Sequence, residues 1–276
     1  MPQIATQDAF HKALDYLRTA SLGQKNSSSL MNALLLQSLQ AIDAASLANV
    51  RQKLTACLLA QKSSTWTFNA TASKTEPDLE TTFCALVALQ QQDPGLISKD
   101  CLGHVANLLI AYETSPGGPY KPPGAEIDLI ANCHIAHFLQ TVAAPLPKLT
   151  SLLEEAIIRQ NFTNCEYRTI YGAMYCVAQT YTGPQRQALI EHLLDRMAAV
   201  LPQTIADTAF ASIIVGQDKK SPAAKKAVQW LIEQQKPDGS WAGEKKWFED
   251  NGVLTTSYAI LALQEIQQDL KQHPAK

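Results

Sequence analysis

Three stretches of the chain open on polar residues and continue apolar, and they share one template: Glu80–Leu89 (ETTFCALVAL), Ala206–Val215 (ADTAFASIIV) and Leu254–Leu263 (LTTSYAILAL). Weaker copies stand at Ser28–Leu39, Leu129–Leu139 and Arg168–Gln179. Their interval of roughly 40 to 50 residues is that of helical-repeat arrays. Between the copies run segments with apolar residues at helical spacing and charge on the opposite face: Phe10–Thr19, Leu47–Gln61, Asp100–Tyr112, Leu149–Gln160, Gln185–Leu201 and Ala223–Gln235. A helix that is apolar almost all round is buried, whereas one with a charged stripe faces water. The pattern therefore predicts an all-α chain of alternating outer and inner helices, about twelve in all, with the template copies inside.

Prolines and glycines punctuate the array where the model of hairpins needs turns, at Asp93-Pro94-Gly95, Ser115 to Pro119, Ala144-Pro145, Gly183-Pro184 and Ser221-Pro222. No linker separates a second domain, so residues 1–276 read as one domain, with a polar tail from 265 to 276 expected to fray. The loop Tyr112–Tyr120 is long and carries two glycines; it reads either as a lid over one mouth or as a rigid turn.

Composition narrows the function classes. An apolar share of 46% supports a large core, and a formal net charge of −2 with scattered Lys and Arg gives no reason to expect nucleic acid as partner. No apolar run is long enough to span a bilayer, and the first residues mix charges with apolar side chains, unlike a secretory signal. Six cysteines without a C-x-x-C pair read as reduced thiols, which places the protein in the cytoplasm, or peripheral at a membrane.

Gln235-Lys-Pro-Asp-Gly-Ser-Trp241 is the most specific local signal. Pro237 ends the preceding helix, and Asp238-Gly239 is a turn pair in which Gly supplies a positive φ. The Gln amide and the indole N–H can bond neighbouring backbone ends and fasten two helix termini together. Gln61 to Trp66 (QKSSTW) looks like a worn version that keeps Gln and Trp but lacks the Gly.

The Q-x3-G-x-W segment resembles the QW repeat of squalene-hopene cyclases and their relatives, the α/α toroids of terpene cyclases and protein prenyltransferases. The resemblance implies an (α/α)6 toroid, a closed double ring whose inner helices start at one end. Spacing alone also permits an open solenoid. In a ring, the first turns of the inner helices converge on one mouth, and the candidates there are Asp78, Glu80 and Thr81; Asp128 and Asn132; Glu166 and Tyr167; Asp207 and Thr208; Thr255 and Thr256. Each of the Asp and Thr residues among them has a second reading as a helix cap.

Pro77-Asp78-Leu79-Glu80-Thr81-Thr82 resembles the D-x-D-D or D-x-D-T-T box of proton-initiated terpene cyclases. The resemblance gives Glu80 the proton-donating position and Asp78 the flanking carboxylate, with Glu in place of the middle Asp and Thr in place of the last. A neighbouring carboxylate and an apolar wall both keep a carboxylic acid protonated, as protonating an alkene demands. Aromatic residues on the inner helices, Phe83, Phe138, Tyr171, Tyr175, Phe210 and Tyr258, with Trp247 and Phe248 before the last copy, read either as walls of a hydrocarbon cavity or as ordinary core.

The function implied is isoprenoid handling: a protonation-initiated cyclase with an apolar central cavity and no cofactor, acting on a hydrophobic isoprenoid or lipid. Cyclases of this kind generally set their cavity between two toroids, which implies a partner chain or a homo-oligomer here. The alternatives are a non-catalytic lipid- or protein-binding toroid and a zinc prenyltransferase-like subunit. For zinc, Cys133 and His137 lie four apart on one helical face beside Asp128 and His134, but the family's final His has no counterpart, since only His273 follows His192.

Overall fold

In the computed structural model, the described residues are 2–20, 28–42, 44–69, 77–162, 169–216, 222–243 and 252–272. Among them lie twelve α-helices and no strand. The inner set is α2 (Ser29–Ala41), α4 (Leu79–Gln92), α6 (Leu129–Thr141), α8 (Ile170–Thr180), α10 (Ile205–Val215) and α12 (Val253–Gln272). The outer set is α1 (Pro2–Thr19), α3 (Ala48–Gln61), α5 (Lys99–Tyr112), α7 (Pro147–Ile158), α9 (Arg186–Ala199) and α11 (Pro222–Glu233).

Burial follows the sequence pattern. In α4, Leu79 and every residue from Thr81 to Leu89 are buried, and α10 is buried from Ala206 to Val215. Outer helices bury one stripe: Val50, Leu54 and Leu58 of α3, or Cys101, Val105 and Leu109 of α5, repeat every fourth residue. Cys84, Cys101, Cys133 and Cys176 sit buried in these helices as thiols.

The inner helices close on themselves: α2 packs on α4, α4 on α6, α6 on α8, α8 on α10, α10 on α12, and α12 back on α2. The fold is therefore a closed toroid rather than an open solenoid. Its seam joins the two ends of the chain, with Ser38 Oγ donating to Ser257 Oγ at 2.7 Å and Gln264 Nε2 to Ala41 O at 2.9 Å. Hydrogen bonds from Gln37 to Cys84 O and from Gln40 to Ala88 O show that α2 and α4 run in the same direction.

The Gln235–Trp241 joint serves the same seam. Gln235 Nε2 donates to Ala9 O of α1 at 2.8 Å and to Gly239 O at 3.0 Å. Trp241 is wholly buried, its indole N–H donating to Leu231 O at 2.7 Å and its backbone N–H to Thr256 Oγ1 at 3.0 Å. Gly239 has φ +85°, and a Cβ there would stand 2.3 Å from Lys12 O. The turn thus requires Gly twice over, for its backbone and for its approach to α1.

Thr256 is the fourth residue of α12, and the fourth residue of other inner helices repeats its task. Thr82 Oγ1 bonds both the N–H and the carbonyl of Phe68, Asn132 does the same for Tyr120, and Thr208 Oγ1 donates to Pro202 O. Each holds the incoming chain against the helix start. Phe68, Tyr120 and Trp241 are all buried, so the counterpart of Trp241 in the first joint is Phe68, not Trp66. Trp66 is half-buried at φ 59°, with Lys62 Nζ 4.3 Å from its ring centroid. Gln61 does tie the joint back, accepting from Asn32, the fourth residue of α2.

Helix α12 extends to Gln272, into the segment read from the sequence as a polar tail. No Gly or Pro interrupts the chain from 253 until Pro274, and Gln, Glu, Leu and Lys sustain a helix.

Phe68→Ala is expected to cost about 3–5 kcal/mol in urea unfolding, and Trp66→Ala about 1 kcal/mol or less. Gly239→Ala is expected to destabilise by more than about 1 kcal/mol, because the clash falls on backbone. Equal losses at Phe68 and Trp66 would contradict the assignment of the joint.

Candidate functional site

Counting from the first residue of each inner helix, positions 2, 6, 9 and 13 lie on one stripe by helical periodicity. Position 6 holds Leu34, Cys84, His134, Tyr175, Phe210 and Tyr258, and four of these six line a cavity of about 330 Å³. Positions 9 and 13 add Gln37, His137, Ala41 and Gln91 to the same wall. The stripe therefore faces the ring axis.

At the layer of position 6, three aromatics meet across the ring. Ring centroids are 4.8 Å apart for Tyr175 and Phe210, 4.7 Å for Phe210 and Tyr258, and 5.6 Å for Tyr175 and Tyr258. Phe83 and Phe138 pack edge to face at 5.8 Å and are wholly buried, as core.

Position 2, one turn toward the helix starts, holds Leu30, Glu80, Ile130, Tyr171, Ala206 and Leu254. Glu80 is half-buried and is the single carboxylate of this layer. Asp78, the N-cap of α4, accepts from Thr81 N–H at 2.7 Å, and Asp128 caps α6 by accepting from Ile130 and Ala131 N–H. Thr81 is wholly buried and its hydroxyl has no hydrogen-bond partner among the described residues. Asn132 holds Tyr120, as described above, while Thr255 is buried beside Thr256. Glu166, Tyr167, Trp247 and Phe248 lie outside the described residues.

Asp207 is buried at position 3 of α10, and the hydroxyl of Thr169, the N-cap of α8, donates to its carboxylate. Burial pushes the Tyr171 phenol above its ordinary pKa; the neighbouring Asp207 carboxylate acts in the same direction, while Arg196, which hydrogen-bonds the phenol, pulls it down. The structure thus brings together Tyr171 and Asp207 and adds two residues that sequence reasoning missed, Thr169 and Arg196.

The 330 Å³ cavity opens at the other end, where α2, α4, α6 and α8 finish. Four glutamines, Gln37, Gln40, Gln91 and Gln179, join His134 and His137 there. None of the four was a candidate from sequence, although polar residues recurring at the close of otherwise apolar copies (LLLQSLQ, VALQQQ, VAQT) were a visible signal. Burial holds the His137 imidazole below its ordinary pKa. Among the described residues no group of three or more His, Cys, Asp or Glu is placed to hold a metal ion.

The Tyr112–Tyr120 loop is folded back on itself by hydrogen bonds. Thr114 N–H and Oγ1 both bond Pro119 O, Ser115 Oγ donates to Gly118 O, and Lys121 N–H returns to Tyr112 O. Asn132 pins Tyr120 to α6.

No protein-family model and no curated protein matches the sequence. Among solved structures, the chain is similar to the type II terpene cyclase MstE from Scytonema without ligand, at 15% identity and TM-score 0.69, over 96% of this chain and 99% of that one. A variant of MstE in complex with merosterolic acid A, its product, is similar at 15% identity and TM-score 0.69, over 96% and 98%. The ent-copalyl diphosphate synthase from Streptomyces platensis matches at 18% identity and TM-score 0.62, over 87% of this chain and 50% of that one. The shared fold is the α/α toroid of the type II terpene cyclases. Among the described residues no helix is long and apolar enough to cross a membrane.

Asp78→Ala is expected to destabilise the protein by about 1 kcal/mol in urea unfolding, while Asp78→Asn, which keeps the cap, stays within a few tenths. An Asn variant as unstable as Ala would show that the charge, not the cap, holds the helix start.

Proposed function

We propose that the protein is an isoprenoid-handling toroid that starts cyclisation by protonating an alkene, with Glu80 as the acid. The observation that carries this reading is the place of Glu80: the single carboxylate in a first-turn layer otherwise made of Leu30, Ile130, Tyr171, Ala206 and Leu254, on the stripe that faces the axis. Apolar neighbours disfavour the ionised carboxylate, and Asp78, two residues earlier, adds a like charge in the same sense. A protonated Glu80 gives its proton to the terminal alkene, and the C–C π electrons of successive alkenes close rings. A final C–H proton is lost, so the product is an isomer of the substrate. Aromatic faces such as Tyr171, Tyr175, Phe210 and Tyr258 stabilise the cation by their quadrupole.

The fold supports this reading: the similarity runs along 96% of this chain and 99% of a type II terpene cyclase. That the MstE variant holds a merosterolic acid product supports a hydrophobic ligand for this chain as well.

A second reading, a non-catalytic lipid- or protein-binding toroid, is favoured by two observations. The Tyr175–Phe210–Tyr258 contacts fill part of the axis, and the Asp78 carboxylate is engaged as a cap. The two readings separate by turnover. Incubated with farnesyl, geranylgeranyl and squalene-type substrates, the wild type is expected to yield cyclic isomers of unchanged mass. Glu80→Gln, isosteric but without the acidic proton, is expected to lower the rate by about 10²–10⁴-fold. Equal product from both proteins would remove Glu80 from the mechanism, and no product from any substrate would leave the binding toroid.

A further inference from the structure

The glutamine-lined cavity lies on the far side of the aromatic layer from Glu80, about 10 Å along the axis from position 2 to position 9. Its polar groups are oriented by the ring itself. Gln37 Nε2 donates to Cys84 O at 2.7 Å and Gln40 Nε2 to Ala88 O at 2.8 Å. The second N–H of Gln37 meets Cys84 Sγ and that of Gln40 meets Gln92 Oε1, so the NH2 groups are held toward α4 and the amide oxygens are the remaining hydrogen-bonding capacity of both side chains. Gln40 Oε1 is buried out of reach of the cavity, which leaves the Gln37 amide as the oriented group of the lining.

The chemistry of the occupant follows. Among the described residues the lining holds no Lys or Arg to offset a carboxylate or phosphate and no Asp or Glu to pair with an ammonium. A hydroxyl fits, because it donates to an amide oxygen and carries no charge to desolvate. Leu34, Tyr175 and Tyr258, on the axial side of the same cavity, offer apolar surface to whatever the hydroxyl is attached to. The volume of about 330 Å³ lies within the range of small-molecule sites. We infer that this cavity binds a neutral amphiphilic alcohol by its hydroxyl group, at a site separate from the Glu80 end of the ring.

The test is calorimetric titration of the full chain with geraniol and with geranyl methyl ether, which keeps the hydrocarbon but lacks the donor. Geraniol is expected to bind about 10-fold more tightly than the ether or better. Gln37→Leu is expected to erase that preference. Because Gln37 also ties α2 to α4, Gln179→Leu, at an exposed cavity residue, is the second variant, expected to weaken geraniol several-fold with thermal unfolding unchanged. Glu80→Gln is expected to leave both affinities as they are, so loss of turnover with intact alcohol binding speaks only to the cyclase reading. Equal affinity for alcohol and ether, a folded pair of Gln variants that bind like wild type, or geraniol binding lost in Glu80→Gln would each overturn the site.

Discussion

Closure of the ring is the constraint on which the rest depends. Without the seam between α12 and α2, the axial stripe would face solvent and no layer of side chains would meet across a centre. The seam is built from polar contacts inside an apolar wall: a serine pair, Ser38 and Ser257, and the Gln264 amide on the end of α2. Buried hydroxyls and amides are costly unless paired, so each of these contacts penalises any register but one. Outside it, Gln235 and Gly239 bind the last hairpin to α1. The chain ends thereby become neighbours, and a linear array becomes a hollow.

A ring of parallel inner helices has two chemically different ends. At the starting end, Ser28, Asp78, Asp128, Thr169 and Thr204 occupy the N-cap positions and accept backbone N–H groups, so much of the polarity there is consumed locally. Glu80 stands two residues inside that belt, at the second position of α4. At the finishing end the polarity comes from glutamines that reach across to the next helix. The aromatic layer at position 6 separates the two. Proton transfer at one end and hydroxyl recognition at the other are consequences of this polarity, and neither requires the other.

Much of the fold was legible because the physics is local. A helix apolar on every face cannot sit outside, and the six template copies became the six inner helices, with starts shifted by two residues at most and α12 running nine residues further. Joint assignment was harder. Trp66 attracts the eye because it follows a Gln, yet what matters is distance to the clamp at position 4: Trp241 precedes Thr256 by 15 residues and Phe68 precedes Thr82 by 14. The candidate site was readable at its starting end, since Asp, Glu and Thr before an apolar run stand out, although sequence could not separate the cap Asp78 from the axial Glu80. The glutamine end was not read, because Gln is an ordinary helix former and its task appears only when a neighbouring carbonyl, some 47 residues away in sequence, comes within reach. Arg196 was missed for the same reason: it lies on an outer helix and meets Tyr171 only through the packing.

The most direct test of the closed ring is the seam itself. Ser38→Cys and Ser257→Cys together place two thiols where the native oxygens lie 2.7 Å apart, within reach of a disulfide. Oxidised during folding and digested without reductant, the double variant should yield a peptide pair linked between positions 38 and 257, seen by mass spectrometry and absent from either single variant. Two unlinked, separately alkylated thiols in a folded protein would mean that α12 does not return to α2, and the axial stripe with both of its ends would have to be abandoned.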